Sequence, residues 1–156
     1  MGANRLRILE FGELPASLEP QAHLLDVAVG WSPLDFGRVN EAIKLGYPRA
    51  DYVGVYAVEK NEIQSVVRVL RVPYTLADGT SETISAIAAV VTRRDRSGKG
   101  LARELLEEVH RREAAAGIRF ATLWTGLSIF AHNLYKSMGG GWIIEAEKFT
   151  AKDQPR

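Results

Sequence analysis

Residues 97–102, Ser-Gly-Lys-Gly-Leu-Ala, constrain this chain more than any other stretch. An apolar, β-branched run over residues 83–91 leads into them, and a run with helical spacing over residues 99–116 leads out. A strand that turns on glycines into a helix begins a β-α-β crossover. That arrangement makes the next strand parallel to the first and the crossover right-handed. The same turn exposes bare backbone. The first amides of a helix have no internal acceptor and sit at the positive end of its dipole, so they suit a phosphate. Glycine lets the backbone approach closely and take a positive φ.

The rest of the chain fills in around this unit. Residues 6–11 read as a short strand. Residues 15–29 carry Leu18, Ala22, Leu25 and Val29 at helical spacing. Ser32 as N-cap and Pro33 at the first turn open a second helix over residues 32–45. Residues 52–58 and 62–74 read as a hairpin divided near Asn61, and Asp78-Gly79 is a turn before the strand at 83–91. The near-continuous apolar end of that strand predicts burial on both faces. The helix at 99–116 puts Ala102, Leu105, Leu106 and Val109 on one stripe and leaves Glu104, Glu107, Arg111 and Arg112 to solvent, with Gly117 as its C-cap. Residues 118–124 read as a buried strand, 128–138 as a short helix and 142–150 as a last strand. The order β-α-α-β-β-β-α-β-α-β implies an α/β (α+β) fold with a mixed, mostly antiparallel sheet, in one domain spanning residues 1–156.

The 156 residues are 46% hydrophobic, enough for one core, and the net charge of +1 gives no global field toward nucleic acid or membrane. Cysteine is absent, which removes disulfides, thiolate metal sites and a Cys nucleophile. His23, His110 and His132 have no metal-ligand spacing, so no metal is expected. No apolar run reaches the roughly 18 residues of a spanning helix, and no signal-peptide layout opens the chain. A cytoplasmic protein is the expectation.

Three phosphate-binding patterns compete for the loop. The P-loop requires a Ser or Thr after Gly-Lys, where this chain has Gly100, and a glycine where it has Arg93. The dinucleotide fingerprint is met by Gly98 and Gly100 and then broken by Arg103. The third pattern is Gln or Arg, two residues, Gly, one residue, then Gly or Ala. Gly100 and Ala102 satisfy it, with Ser97 in the first position and Arg96 one place earlier. In this register residues 90–103 resemble motif A of the GNAT N-acetyltransferase superfamily. Taken alone, the loop also reads as a tight turn with Lys99 and Arg96 solvated.

A second stretch, residues 128–139, resembles motif B of the same superfamily. Asn133, Tyr135 and the Met138-Gly139 pair stand in the matching order, and Gly140, Gly141 and Trp142 follow where Gly-Phe is usual. The resemblance covers roughly residues 83–142 and implies an acetyl-CoA-dependent N-acetyltransferase that acts by direct attack in a ternary complex. It implies that the amides of Ser97, Gly98, Lys99, Gly100, Leu101 and Ala102 hold the pyrophosphate. The backbone of Val90, Val91 and Thr92 would pair with pantetheine where the fourth strand splays from the fifth. Asn133 would contact the cofactor, and Tyr135 would protonate the leaving thiolate. The Arg93, Arg94 and Arg96 cluster would lie near the CoA phosphates, with Arg96 or Lys99 as counter-charge. Trp31, Phe36 and Tyr47 lie on the segment that forms the acceptor wall in such proteins. No carboxylate falls where a strand-4 base belongs. The acceptor is a small-molecule or protein amine, with no membrane or nucleic-acid partner, and an exposed sheet edge predicts a homodimer. A non-catalytic acyl-CoA-binding or regulatory module is the alternative.

Overall fold

The structure, a computed structural model, describes residues 6–22, 52–125 and 130–138. Among these residues, five strands lie side by side in chain order: β1 (Arg7–Glu10), β2 (Tyr52–Glu59), β3 (Glu62–Thr75), β4 (Ser81–Thr92) and β5 (Ala121–Leu123). The first three pairings are antiparallel, and β4 pairs with β5 in parallel. This is the mixed sheet that the element order implies.

Local chemistry sets both hairpins. Lys60 and Asn61 have φ of 52° and 59° and form a two-residue turn whose handedness matches the strand twist. The buried Gln64 amide staples that turn, donating to the Glu59 and Glu62 carbonyls at 3.2 Å each. In the β3–β4 turn, the Asp78 carboxylate accepts from the Thr80 amide at 2.9 Å and its hydroxyl at 2.6 Å.

Helix α1 (Leu101–Ala115) covers one face of the sheet, packing on β2, β3 and β4 through Leu101, Leu105, Leu106 and Val109. On the other face, Leu14, Leu18 and Ala22 cluster with Tyr56, Val58, Ile63 and Val66. The centre of the sheet is therefore buried on both sides, at residues 55–58 of β2 and 63–69 of β3. Helix α1 ends on Gly117 at φ +82°, where the Ile118 amide donates back to the Glu113 carbonyl.

Three expectations change. The C-terminal half of β4 is only half-buried, and Ala88 is exposed. The cause is a β-bulge. Arg68 pairs with Ala89 and Val69 with Ile87, so Ala88 is an extra residue in the ladder. Strand β5 is three residues long, because its pairing with β4 stops at Ile87. The first helix is preceded by a 3₁₀ turn, Ala16–Leu18, and runs helical from residue 19 to the last described position there, 22. The rest of that helix, the helix at 32–45, the strand at 142–150, His23, Trp31, Phe36 and Tyr47 lie outside the described residues. The chain forms two compact units, Met1–Trp124 and Thr125–Arg156, and helix α2 (Phe130–Ser137) is in the second.

Candidate functional site

The glycine loop has the geometry its composition predicts. Gly98 and Gly100 take φ of +74° and +83°. A Cβ added at either would meet nothing within 4 Å, so the turn needs glycine for its backbone conformation, and the space above it is open. Gly100 is the N-cap of α1, and no side chain caps the helix. The first intrahelical bond runs from the Glu104 amide to the Gly100 carbonyl at 3.0 Å. The amides of residues 98–102 lie ahead of it, on an exposed turn at the positive end of a 15-residue helix. The arrangement fits a pyrophosphate. Leu101 takes part through its backbone only, since its side chain belongs to the core.

Strand β4 leads straight into this loop. Beyond the Ala88 bulge it keeps β3 on one side, while on the other it has no strand partner among the described residues. A bulge bends its strand and increases the local twist, which accounts for β5 parting from β4 here. Residues 88–92 thus form an unpaired edge about 15 Å long at a strand's rise per residue. Val90, Val91 and Thr92 are on that edge, all half-buried. Val91 packs on the core cluster, and its carbonyl accepts from the Ser65 hydroxyl at 2.9 Å. The Thr92 hydroxyl pairs with that of Ser65 at 2.8 Å. Both side chains are thus tied to the sheet rather than turned to a ligand.

The basic residues divide in a way the sequence did not indicate. Arg93 bonds to Glu62 at 2.7 Å and to both Asp95 oxygens at 3.1 and 3.2 Å. Hydrogen bonding to Arg93 holds the Asp95 carboxyl below its ordinary range. Arg96 pairs with Glu59 at 2.7 Å. Lys99, exposed in the loop, donates to the Asp95 carbonyl at 3.2 Å and has no carboxylate partner among the described residues.

In the second unit, Tyr135 is half-buried on α2, and burial pushes its phenol above the usual value, so it is protonated at neutral pH. Asn133 is exposed. Two positions apart on a helix, these side chains do not share a face. The helix does not aim both at one point.

Two buried charged groups escaped the sequence reading. Glu113 accepts from Arg71 at 2.7 and 3.1 Å and from the Ser85 hydroxyl at 2.6 Å, tying the end of α1 to β3 and β4. Burial acts to raise its pKa, but the bonds from Arg71 and Ser85 outweigh it and the net shift is downward. The signal was present: four residues beyond Val109, Glu113 continues the apolar stripe. Arg68 is buried in β3 and donates from Nη2 to the Tyr56 hydroxyl at 2.8 Å. Gly54 makes the room, since a Cβ there would stand 2.8 Å from the Tyr56 ring.

Residues 16–143 match the family model described as Acetyltransferase (GNAT) domain. This chain belongs to the GNAT acetyltransferase family. No curated protein matches it. Solved structures agree with the GNAT fold at low identity. A transcriptional regulator from Bacillus halodurans C-125 superposes with a TM-score of 0.71 at 18% identity, over 94% of this chain and 99% of its own. A predicted acetyltransferase with acetyl-CoA from Clostridium acetobutylicum gives 0.68 at 13%, over 97% and 100%. The aminoglycoside 6'-N-acetyltransferase AAC(6')-Ih from Acinetobacter baumannii gives 0.67 at 10%, over 94% and 97%.

Proposed function

We propose that the whole chain is one catalytic domain that transfers acetyl from acetyl-CoA to a primary amine. One observation carries the reading. Past its bulge, β4 has one edge without a strand partner among the described residues, and it runs directly into a glycine-opened helix N-terminus with no side-chain cap. An extended amide-bearing arm ending in a pyrophosphate matches that sequence of groups. The arm would add to the edge of residues 88–92 as a further strand does, and the amides of residues 97–102 would take the pyrophosphate with Lys99 beside it. Asn133, on the exposed face of α2, would offer its amide to the polar part of the cofactor.

In the chemical step, the neutral amine's lone pair attacks the thioester carbonyl, the C–S bond breaks, and sulfur leaves as a thiolate. Tyr135, protonated at neutral pH, donates its phenolic proton to that sulfur and regains one from solvent. Among the described residues, strand β4 beyond Glu82 carries no carboxylate, and Glu82 itself is paired with Arg119. The amine's proton passes to water, a backbone carbonyl or bulk solvent, and no side chain is assigned as base. The acceptor class is a small-molecule or protein amine, and aminoglycosides join the panel because solved neighbours bear that name. The chain acts in the cytoplasm, as a homodimer.

The test is an acetylation screen over aminoglycosides, polyamines, amino acids and lysine peptides, read as free thiol released from acetyl-CoA. Amine-dependent release supports the reading. Tight acetyl-CoA binding with no release across the panel would favour the binding-module alternative.

A further inference from the structure

We propose that the β2–β3 turn is the positioning element of the pyrophosphate loop, acting through Glu59 and Glu62. This rests on the acetyl-CoA reading above. Between β4 and α1 the chain makes one 3₁₀ turn, Arg94–Arg96, and then the glycine loop. That connection is anchored to the β2–β3 turn at three points. The Arg93 amide donates to the Gln64 carbonyl at 2.9 Å. The Arg93 guanidinium bridges Glu62 and Asp95, and Arg96 pairs with Glu59 at 2.7 Å. The turn they grip is itself fixed, by the left-handed pair Lys60 and Asn61 and by the buried Gln64 amide.

The charges are arranged for holding rather than for binding a ligand. Glu59 and Arg96 are both mostly covered, with side-chain exposures of 20% and 26%. The Nε of Arg96 is sealed from solvent with no hydrogen-bond partner among the described residues, and its Nη2 is held by Glu59, so these two donors face the protein rather than an outside ligand. An anion bound at the loop amides meets Lys99 instead. The two carboxylates thus neutralise Arg93 and Arg96 and fix where residues 97–100 stand relative to the end of β4. The spacing matters because one ligand must reach both the β4 edge and the loop amides. Glu59, Glu62, Arg93 and Arg96 are positioning residues in this account.

A double-mutant cycle on Glu59 and Arg96 tests this, with acetyl-CoA affinity measured by calorimetry at several salt concentrations. As a clamp, Glu59→Gln and Arg96→Gln each raise Kd by about fivefold, and the double variant is no weaker than either single one. The salt dependence stays that of the wild type, because no phosphate contact has been lost. Arg96→Lys keeps the pair and holds affinity within about twofold of wild type. Glu62→Gln, at a more exposed carboxylate, raises Kd in the same direction by less and guards against a folding failure at Glu59. The opposite pattern overturns the proposal: if Arg96 itself binds phosphate, Glu59→Gln tightens binding while Arg96→Gln weakens it and flattens the salt dependence. Additive losses overturn it too, as does a fall in affinity that tracks a fall in melting temperature. A wild-type protein that takes up no acetyl-CoA overturns both this and the function it rests on.

Discussion

Replacing Gly100 with alanine separates the backbone cost of the loop from its binding role. Gly100 stands at φ +83°, and its added Cβ would touch nothing within 4 Å. The folding cost is therefore conformational alone, about 1 kcal/mol for a non-glycine residue in the left-handed region. For a chain of 156 residues that lowers Tm by about 3 °C. Binding should suffer more. The Cβ projects into the open space in front of the helix amides, where the pyrophosphate must come within hydrogen-bonding distance. Losing one bond from a backbone amide to a charged oxygen costs about 2 kcal/mol, or roughly 30-fold in Kd. Gly79 supplies the control, because its φ of +85° and empty surroundings match those of Gly100 in a turn remote from the loop. Gly79→Ala should lower Tm by the same amount and leave acetyl-CoA affinity alone, while Gly98→Ala should behave like Gly100→Ala. Calorimetry and thermal unfolding on the three variants decide it. If Gly100→Ala binds acetyl-CoA as the wild type does, or if Gly79→Ala weakens binding equally, the loop is a structural turn and the reasoning fails.

Other outcomes follow from single contacts. Tyr135→Phe should cut kcat roughly 100-fold with little change in acetyl-CoA Kd; an unchanged kcat removes Tyr135 from the chemistry. Tyr56→Phe removes the buried 2.8 Å bond from Arg68 Nη2 and should cost about 1 kcal/mol, seen as a Tm lower by about 3 °C; an unchanged Tm contradicts it. Hydrogen bonds from Arg111, with help from Arg112, hold the Glu108 carboxyl at about 2, against its ordinary 4.5. That stability is complete above the ordinary value and is lost as pH falls through about 2. Glu108→Gln should therefore remove on the order of 2 kcal/mol at neutral pH and flatten the acid-unfolding profile between those limits. Parallel wild-type and variant profiles by circular dichroism would refute it.

The sequence made the strand-loop-helix unit plain because local rules governed it. Gly98, Gly100 and Gly117 all have the positive φ that their positions suggested, and Leu105, Leu106 and Val109 face the core. The Asp78-Gly79 turn forms where it was read. What stayed hidden depended on partners distant in sequence. Nothing near Ala88 announces a bulge, which comes from the register between β3 and β4. The Arg93 and Arg96 cluster read as a phosphate patch because Glu59 and Glu62 lie over 30 residues away. Arg112 looked solvent-facing until the fold brought Glu10 of β1 within 2.6 Å. Arg68 sits within an apolar run, and only the cross-strand pairing with Gly54 explains how it fits.

Calorimetric titration of the wild-type protein with acetyl-CoA tests the central claim most directly. Saturable binding is expected at one site per chain, with an affinity that falls as salt rises because phosphate contacts are part of it. No heat of binding at millimolar acetyl-CoA would contradict the assignment of the glycine loop and the β4 edge as an acyl-CoA site.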